Sequence, residues 1–224
     1  MTPVEEIAKG VESVDLIITD FDGTLVKNYF PGYALRNFVM NPVGFFWFWL
    51  ECFSDVFKSR KKCQNTSTLE RIQELYIENY ADPEDFKKYV SKRPGLICQD
   101  SINLINLANA HTVLITRNNE MAVKAFNSLS KVIDEAYTGC YDKGLMTIDV
   151  VRKKKPKVCL FLGNDEHDLS AIAALSSLKE NGMIEGYYSL LRTKKEHLNG
   201  TCDYAGKSFN EIVEMYKRLI QNKI

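Results

Sequence analysis

Asp15–Thr24, DLIITDFDGT, is the stretch whose reading decides the fold. Leu16, Ile17 and Ile18 form an apolar, partly β-branched run that stops at two aspartates one residue apart, followed by a glycine and a threonine. A run of this kind is a buried strand delivering carboxylates to its own C-terminal end, the place where open α/β sheets put their ligands. Asp20 and Asp22 stand at i and i+2, so on an extended backbone they share a face. Two like charges that close are unfavourable unless a cation or a proton sits between them. Gly23 allows a sharp turn away from the sheet edge, and Thr24 offers a hydroxyl and an amide beside it.

DFDGT behind LIIT resembles the first motif of the haloacid dehalogenase superfamily, the aspartate-nucleophile phosphatases and their relatives. The resemblance implies that Asp20 attacks phosphorus and that Asp22 acts as general acid and then as base. Without it, the same residues read as a strand ending in a solvated acidic turn.

The chain has 224 residues, enough for one α/β domain with an insertion or for two small domains. Lys plus Arg and Asp plus Glu balance at 29 each, so no nucleic-acid partner is expected. The local basic run from Arg152 to Lys155, with Lys157, has no interleaved aromatics and reads as a solvated loop or helix end. Six scattered cysteines (Cys52, Cys63, Cys98, Cys140, Cys159, Cys202) lack zinc spacing and read as reduced thiols, which makes a cytoplasmic location the expectation. The opening MTPVEEIAKG is acidic and lacks an apolar segment, so it reads as a capped helix start on Thr2 and Pro3 and not as a signal peptide.

Residues 27–92 read as helices only. At their centre lies NPVGFFWFWLECF, Asn41–Phe53, within an uncharged run from Val39 to Leu50 that is too short to span a bilayer. Three readings stay open for it: a buried helix of an insert, a hydrophobic lining for the leaving group, and an interfacial helix that would bring the protein to a membrane surface, the least favoured of the three. Ser67 with Glu70 starts a helix through Tyr80, and Asp82-Pro83 opens another toward Lys92. An all-helical block directly behind the first strand resembles the cap of the phosphoserine-phosphatase-like branch of the superfamily. The implied domains are an α/β core, residues 1–26 and 93–224, and a helical cap, residues 27–92, that closes over the site and selects the leaving group. NPVGFFWFWL also resembles branches of the superfamily that act on lipid-linked phosphates.

Arg93-Pro94-Gly95 returns the chain to the core, and a helix spaced by Ile102, Ile105 and Leu107 leads into HTVLIT, His111–Thr116. This strand with a terminal threonine is similar to the family's second motif, which implies that Thr116, with neighbouring Arg117 and Asn118, binds the transferring phosphoryl group. His111 opens the strand at its far end, where a structural role is expected. Lys143, in the turn-rich YTGCYDKG passage, is the candidate for the family's third-motif lysine; Lys153, Lys154, Lys155 and Lys157 are its rivals. VCLFLGNDEHDLSAIAAL, Val158–Leu175, resembles the family's GDxxxD motif with one departure. Asn164 stands at the first aspartate position, Asp168 matches the second, and Asp165 is an adjacent acid. An asparagine carbonyl can ligate Mg²⁺, but it removes one negative charge from the site. Asp165 compensates only if its side chain turns inward. Further on, Met183–Leu190 and Cys202–Ala205 read as strands, and Ser208 with Glu211 as a box at the start of a last amphipathic helix.

The expected architecture is a Rossmann-like, doubly wound parallel sheet with helices on both faces and the helical cap inserted after the first strand. Right-handed crossovers then bring Asp20, Asp22, Thr116, Gly163 and Asp168 to one sheet edge. The resemblance implies a Mg²⁺-dependent phosphatase that acts on a small phosphorylated substrate through an aspartyl-phosphate on Asp20. Its metal set would be Asp20, Asp22, Asn164 or Asp165, and Asp168, with Thr116 and Lys143 on the phosphate oxygens. The competing reading is a member that keeps the fold and binds a phosphorylated ligand or a protein with little turnover, because Asn164 weakens the metal site.

Overall fold

A computed structural model describes residues 4–27, 33, 36, 39, 46, 82–118 and 120–221. In chain order its elements are α1 (Val4–Gly10), β1 (Leu16–Thr19), α2 (Pro83–Ser91), α3 (Gln99–Ala108), β2 (His111–Ile115), α4 (Glu120–Ser130), β3 (Glu135–Tyr137), α5 (Lys143–Lys154), β4 (Val158–Gly163), α6 (Leu169–Glu180), β5 (Gly186–Arg192), β6 (Tyr204–Gly206) and α7 (Asn210–Gln221). The six strands form one sheet in the order β3-β2-β1-β4-β5-β6, and every neighbouring pair is parallel.

Parallel strands need both faces covered, and the sequence supplies apolar residues at successive positions to meet that need. Leu16, Ile18, Val113, Ile115, Cys159 and Phe161 point to one face, where they pack with Val150 and Val151 of α5 and Ala171 and Leu175 of α6. Ile17, Leu114, Leu160 and Leu162 point to the other, against Ile7 of α1, Leu104 of α3, Phe126 of α4 and Ile212 of α7. Each such side chain taken out of water contributes about 1.5–3 kcal/mol before entropy is counted. The chain goes outward from β1 through β2 to β3, then returns to β4 on the opposite side of β1. That reversal opens a crevice at the C-terminal ends of β1 and β4, where doubly wound sheets bind ligands.

Several local expectations shift. β1 ends at Thr19, so Asp20 and Asp22 do not extend one strand face: Asp20 is buried, and Asp22 is exposed in a turn bridged to Val26. β5 begins at Gly186 and not at Met183, because residues 181–183 still close the end of α6 through Asn181 N–H to Ser177 O and Met183 N–H to Leu178 O. Pairing starts where Gly186 meets Val158. The last short strand lies at Tyr204–Gly206, starting two residues and ending one residue later than read. At α7 the Ser208 hydroxyl accepts from Asn210 N–H at 3.3 Å, while Glu211 turns to the Tyr204 hydroxyl at 3.4 Å in place of the expected box.

Asp82 caps α2 by accepting from Asp85 N–H at 2.7 Å, with Pro83 in the first turn. Phe86 and Tyr89 of α2 enclose the buried Tyr33 ring, at centroid distances of 5.1 and 5.2 Å, and α2 packs along α4 of the core. Of the aromatic stretch, Phe46 is described and is exposed, as is Val39. The remainder of that stretch, the helix expected from Ser67 to Tyr80, Thr2, Pro3, Cys52 and Cys63 lie outside the described residues, as does most of the segment assigned to the cap. Among the described residues no helix is long and apolar enough to cross a membrane, and Cys98, Cys140, Cys159 and Cys202 are free thiols.

Candidate active site

Asp20 follows β1 directly, and its N–H donates to Leu162 O at 2.8 Å, which extends the ladder with β4 by one residue. Its carboxylate therefore emerges in the crevice with a side chain only 8% exposed. Lys143, the first residue of α5, reaches it across the crevice: Nζ donates to Asp20 Oδ1 at 2.6 Å and to Asp168 Oδ1 at 2.6 Å. Asp142 caps α5 by accepting from Leu145 N–H at 2.9 Å, which sets the direction in which Lys143 leaves the helix. The rival lysines are elsewhere. Lys153 and Lys154 pair with Glu135, Lys157 pairs with Glu185, and Lys155 is the left-handed cap of α5.

Asp168 is fully buried and both of its oxygens are engaged. Oδ1 takes Lys143, and Oδ2 accepts from the N–H groups of Asn164 at 2.7 Å and Asp165 at 3.3 Å. It thus holds the turn after β4 and orients Lys143. Gly163 is required for this: a Cβ there would lie 2.5 Å from Asp168 Oδ2. Asp165 does not face the crevice acids. Its carboxylate accepts from His167 N–H at 2.9 Å and caps the short 3-10 turn Glu166–Asp168. The compensation for Asn164 that an inward Asp165 would supply is therefore not present in this arrangement. Asn164 itself packs over the turn behind β1, where a Cβ on Gly23, at φ +72°, would meet its amide nitrogen at 2.1 Å.

Asp22 is aimed by Asn118, whose side-chain amide donates to Asp22 Oδ2. Thr116, buried at the end of β2, accepts from Asn118 N–H at 3.1 Å through its hydroxyl oxygen, and the hydroxyl proton is left for a further acceptor. Arg117 contacts His167 Nδ1 at 3.2 Å, which joins the loop after β2 to the loop after β4. Thr24 is buried, and its main-chain carbonyl accepts from the Ser101 hydroxyl at 2.6 Å. His111, the first residue of β2, lies at the other end of that strand, with Nδ1 3.5 Å from Asp134 Oδ2.

Burial pushes the Asp20 carboxyl up to about 7; Lys143 pulls against that rise, while Asp168 and then Asp22 add to it. Burial by itself would lower Lys143, but Asp20 and Asp168 outweigh it and hold the ammonium above its ordinary value. The cluster is an ammonium shared by two buried carboxylates, with a third close by, and the surplus negative charge falls on Asp20. Below an unfolded value near 3.8 the proton is bound in both states, whereas up to about 7 only the folded state keeps it. Asp20 therefore supports folding fully at low pH, and that support is lost as pH rises through 7. In chelator, Asp20→Asn should gain thermal stability over the parent as pH is raised from about 5 to about 8. A stability difference that does not change with pH would mean that Asp20 titrates normally.

The same surplus charge bears on a divalent cation. Among the described residues no group of three or more His, Cys, Asp and Glu side chains is disposed as a metal cage. Lys143 lies between the two buried acids, and an amide stands at 164. Of the donors expected from the sequence, the Asp20 carboxylate and the carbonyls of the Asn164 side chain and the Asp22 main chain offer oxygen, which suits a hard ion such as Mg²⁺. They fit such an ion with fewer formal charges than an all-carboxylate set, so the affinity should be modest.

Asp100 and Arg192 escape the sequence reading. They are a pair at the same sheet edge, Asp100 buried and Arg192 partly so, with Nε 3.3 Å from Oδ2. The signal was an arginine closing the apolar run SLLR, but the strand was expected to end at Leu190.

No family model and no curated protein matches this chain. Solved structures do. DsGPDH of Dunaliella salina superposes with a TM-score of 0.61 at 14% identity, covering 96% of this chain and 38% of that one. This chain thus spans about two fifths of the length of DsGPDH. Weaker likenesses are 3-deoxy-D-manno-octulosonate 8-phosphate phosphatase from Moraxella catarrhalis (TM-score 0.45, 13% identity, 97% and 91% of the two chains) and the HAD domain of the effector Lem4 from Legionella pneumophila (0.44, 14%, 80% and 86%). At these identities the likeness is one of fold. The chain has the Rossmann-like, doubly wound parallel α/β fold expected from its sequence.

Proposed function

We propose that the protein is a Mg²⁺-dependent phosphomonoesterase that works through an aspartyl-phosphate on Asp20. The observation that carries this reading is the buried Lys143, which holds Asp20 and Asp168 at 2.6 Å each beside the hydroxyl-bearing end of β2. An ammonium fixed there neutralises a phosphoryl oxygen as readily as a carboxylate, and Thr116 can donate its hydroxyl proton to a second oxygen. Asp20, in the ionised form that Lys143 favours, is the carboxylate that attacks phosphorus in line. Asp22, held by Asn118, protonates the departing alcohol and then takes a proton from the water that opens the acyl phosphate. Mg²⁺, when bound by Asp20, Asn164 and the Asp22 main chain, supplies charge that brings nucleophile and phosphate together.

A second reading has one observation in its favour: Asp165 is committed to its own turn, so Asn164 is uncompensated. On that reading the protein binds a phosphorylated ligand and turns it over poorly. The test is phosphate release from a panel of small phosphomonoesters and one lipid phosphate, with and without Mg²⁺. Release that needs the metal supports the enzyme. Absence of release across the panel, together with absence of Mg²⁺ binding by calorimetry, would favour the binding reading.

A further inference from the structure

Arg192 is the last residue of β5, two strands removed from β1 in the sheet order β1-β4-β5. Adjacent strands lie about 4.8 Å apart, so reaching the turn behind β1 from there takes a side chain that crosses over β4. Arg192 does this: Nη1 donates to Gly23 O at 3.2 Å, while Nε donates to Asp100 Oδ2 at 3.3 Å. Asp100 lies in the first turn of α3, where a negative charge is favoured, and the same oxygen accepts from Phe209 N–H at 2.7 Å ahead of α7. The side chains are 18% and 8% exposed. A pair this buried adds little net stability over an apolar replacement of equal volume, so its effect should be sought in geometry.

The carbonyl it holds is that of Gly23, in the Gly23–Thr24 peptide, so the guanidinium fixes the turn one residue beyond Asp22. Gly23 is held from three directions: its N–H donates to Val26 O at 2.7 Å, its α-carbon packs under the Asn164 amide, and its carbonyl takes the guanidinium. Asn118 orients the Asp22 carboxylate from the side-chain end, but nothing in that contact sets the main chain from which the carboxylate hangs. We propose that Arg192, braced by Asp100, is a positioning residue for Asp22, locking the Gly23 peptide so that the Asp22 carboxyl is aimed at the leaving oxygen. This rests on the phosphomonoesterase reading above. Lysine would not substitute, because one ammonium lacks the planar fork that serves a carboxylate and a carbonyl together.

The consequence is selective. A misaimed general acid slows the departure of a poor leaving group, an alkoxide, much more than that of p-nitrophenolate, which leaves without a proton. Arg192 contacts neither Asp20, Lys143 nor Thr116, so with Mg²⁺ saturating, which offsets any weakening of the Asp22 main-chain donor, KM should stay near the parent's value. The experiment compares kcat and KM for an alkyl phosphate and for p-nitrophenyl phosphate in the parent, Arg192→Met, Arg192→Lys and Asp100→Asn, with Asp22→Asn as reference and Asp20→Asn as blank. Arg192→Met is expected to lose roughly 10- to 100-fold in kcat on the alkyl ester and no more than about 3-fold on the aryl ester, reproducing in milder form the pattern of Asp22→Asn. Arg192→Lys should fall between parent and Arg192→Met. Asp100→Asn keeps an oxygen for Phe209 N–H and should show the same selectivity, which keeps the test decisive if Arg192→Met does not fold. Equal losses on both esters, or losses confined to KM, would overturn the positioning role while leaving the phosphatase reading intact. Absence of Asp20-dependent release in the parent would overturn that reading, and the positioning role with it.

Discussion

Asp20→Asn is expected to lower Mg²⁺-dependent phosphate release by roughly 10⁴-fold or more, because the amide cannot attack phosphorus and no neighbouring group replaces it. The loss corresponds to about 5 kcal/mol of transition-state stabilisation. The fold should survive. Asp20 is a carboxylate whose charge burial opposes, and a neutral asparagine of the same shape keeps an oxygen for Lys143, which retains Asp168 as its charged partner. Thermal melts near neutral pH should therefore place the variant at or above the parent. Loss of activity without loss of stability is the signature of a group strained for chemistry. A variant that keeps a tenth or more of parental activity, measured as phosphate released in a coupled assay, would remove Asp20 as the nucleophile.

Lys143→Met should do the opposite, destroying stability along with activity. The ammonium is 7% exposed and is the cation bound to both Asp20 Oδ1 and Asp168 Oδ1. Removing it leaves two buried carboxylates facing an apolar side chain, and taking away one partner of a buried ionic group typically destabilises by about 3–5 kcal/mol. Asp20 can relieve part of this by holding its proton to higher pH, so a loss near the lower end, about 3 kcal/mol, is expected by denaturant titration. Asp168 has less freedom, since its other oxygen is committed to Asn164 and Asp165 N–H groups, and the turn after β4 should loosen with it. Phosphate release should drop by about 10³-fold, as expected when a fixed charge facing the transferring group is lost. Stability within about 0.5 kcal/mol of the parent would show that the three-charge cluster contributes little to folding. Lys153→Met, by contrast, should change neither measurement by much, because its pair with Glu135 is mostly solvated and remote from the crevice.

The two predictions separate what each kind of reasoning can reach. DLIITDFDGT, HTVLIT and VCLFLG were legible as parallel strands because buried strands need apolar residues on both faces, and their spacing along the chain left room for crossovers. The switch-point crevice followed from that order, as did the meeting of Asp20, Thr116 and Asp168 at one edge. The boundaries at Met183, Cys202 and Ser208 moved because helix ends and strand starts compete for the same few residues, and that competition is decided by pairing with distant segments. The Asp22 orientation failed for a related reason: period-two facing holds only while the backbone remains extended, and β1 stops at Thr19.

What the sequence by itself determined is therefore the sheet, its central strand and the carboxylates carried by that strand. These depend on local pattern, and local pattern is written in consecutive residues. Only the tertiary structure decided which of five lysines enters the site, that Asp165 caps its own turn, and that Asp100 and Arg192 brace Gly23 from strands and helices far along the chain. The physical reason is the same each time. A long or charged side chain carries no directional signal in sequence, and its partner is settled by the packing of whole elements, which brings together residues as distant as Gly23 and Arg192.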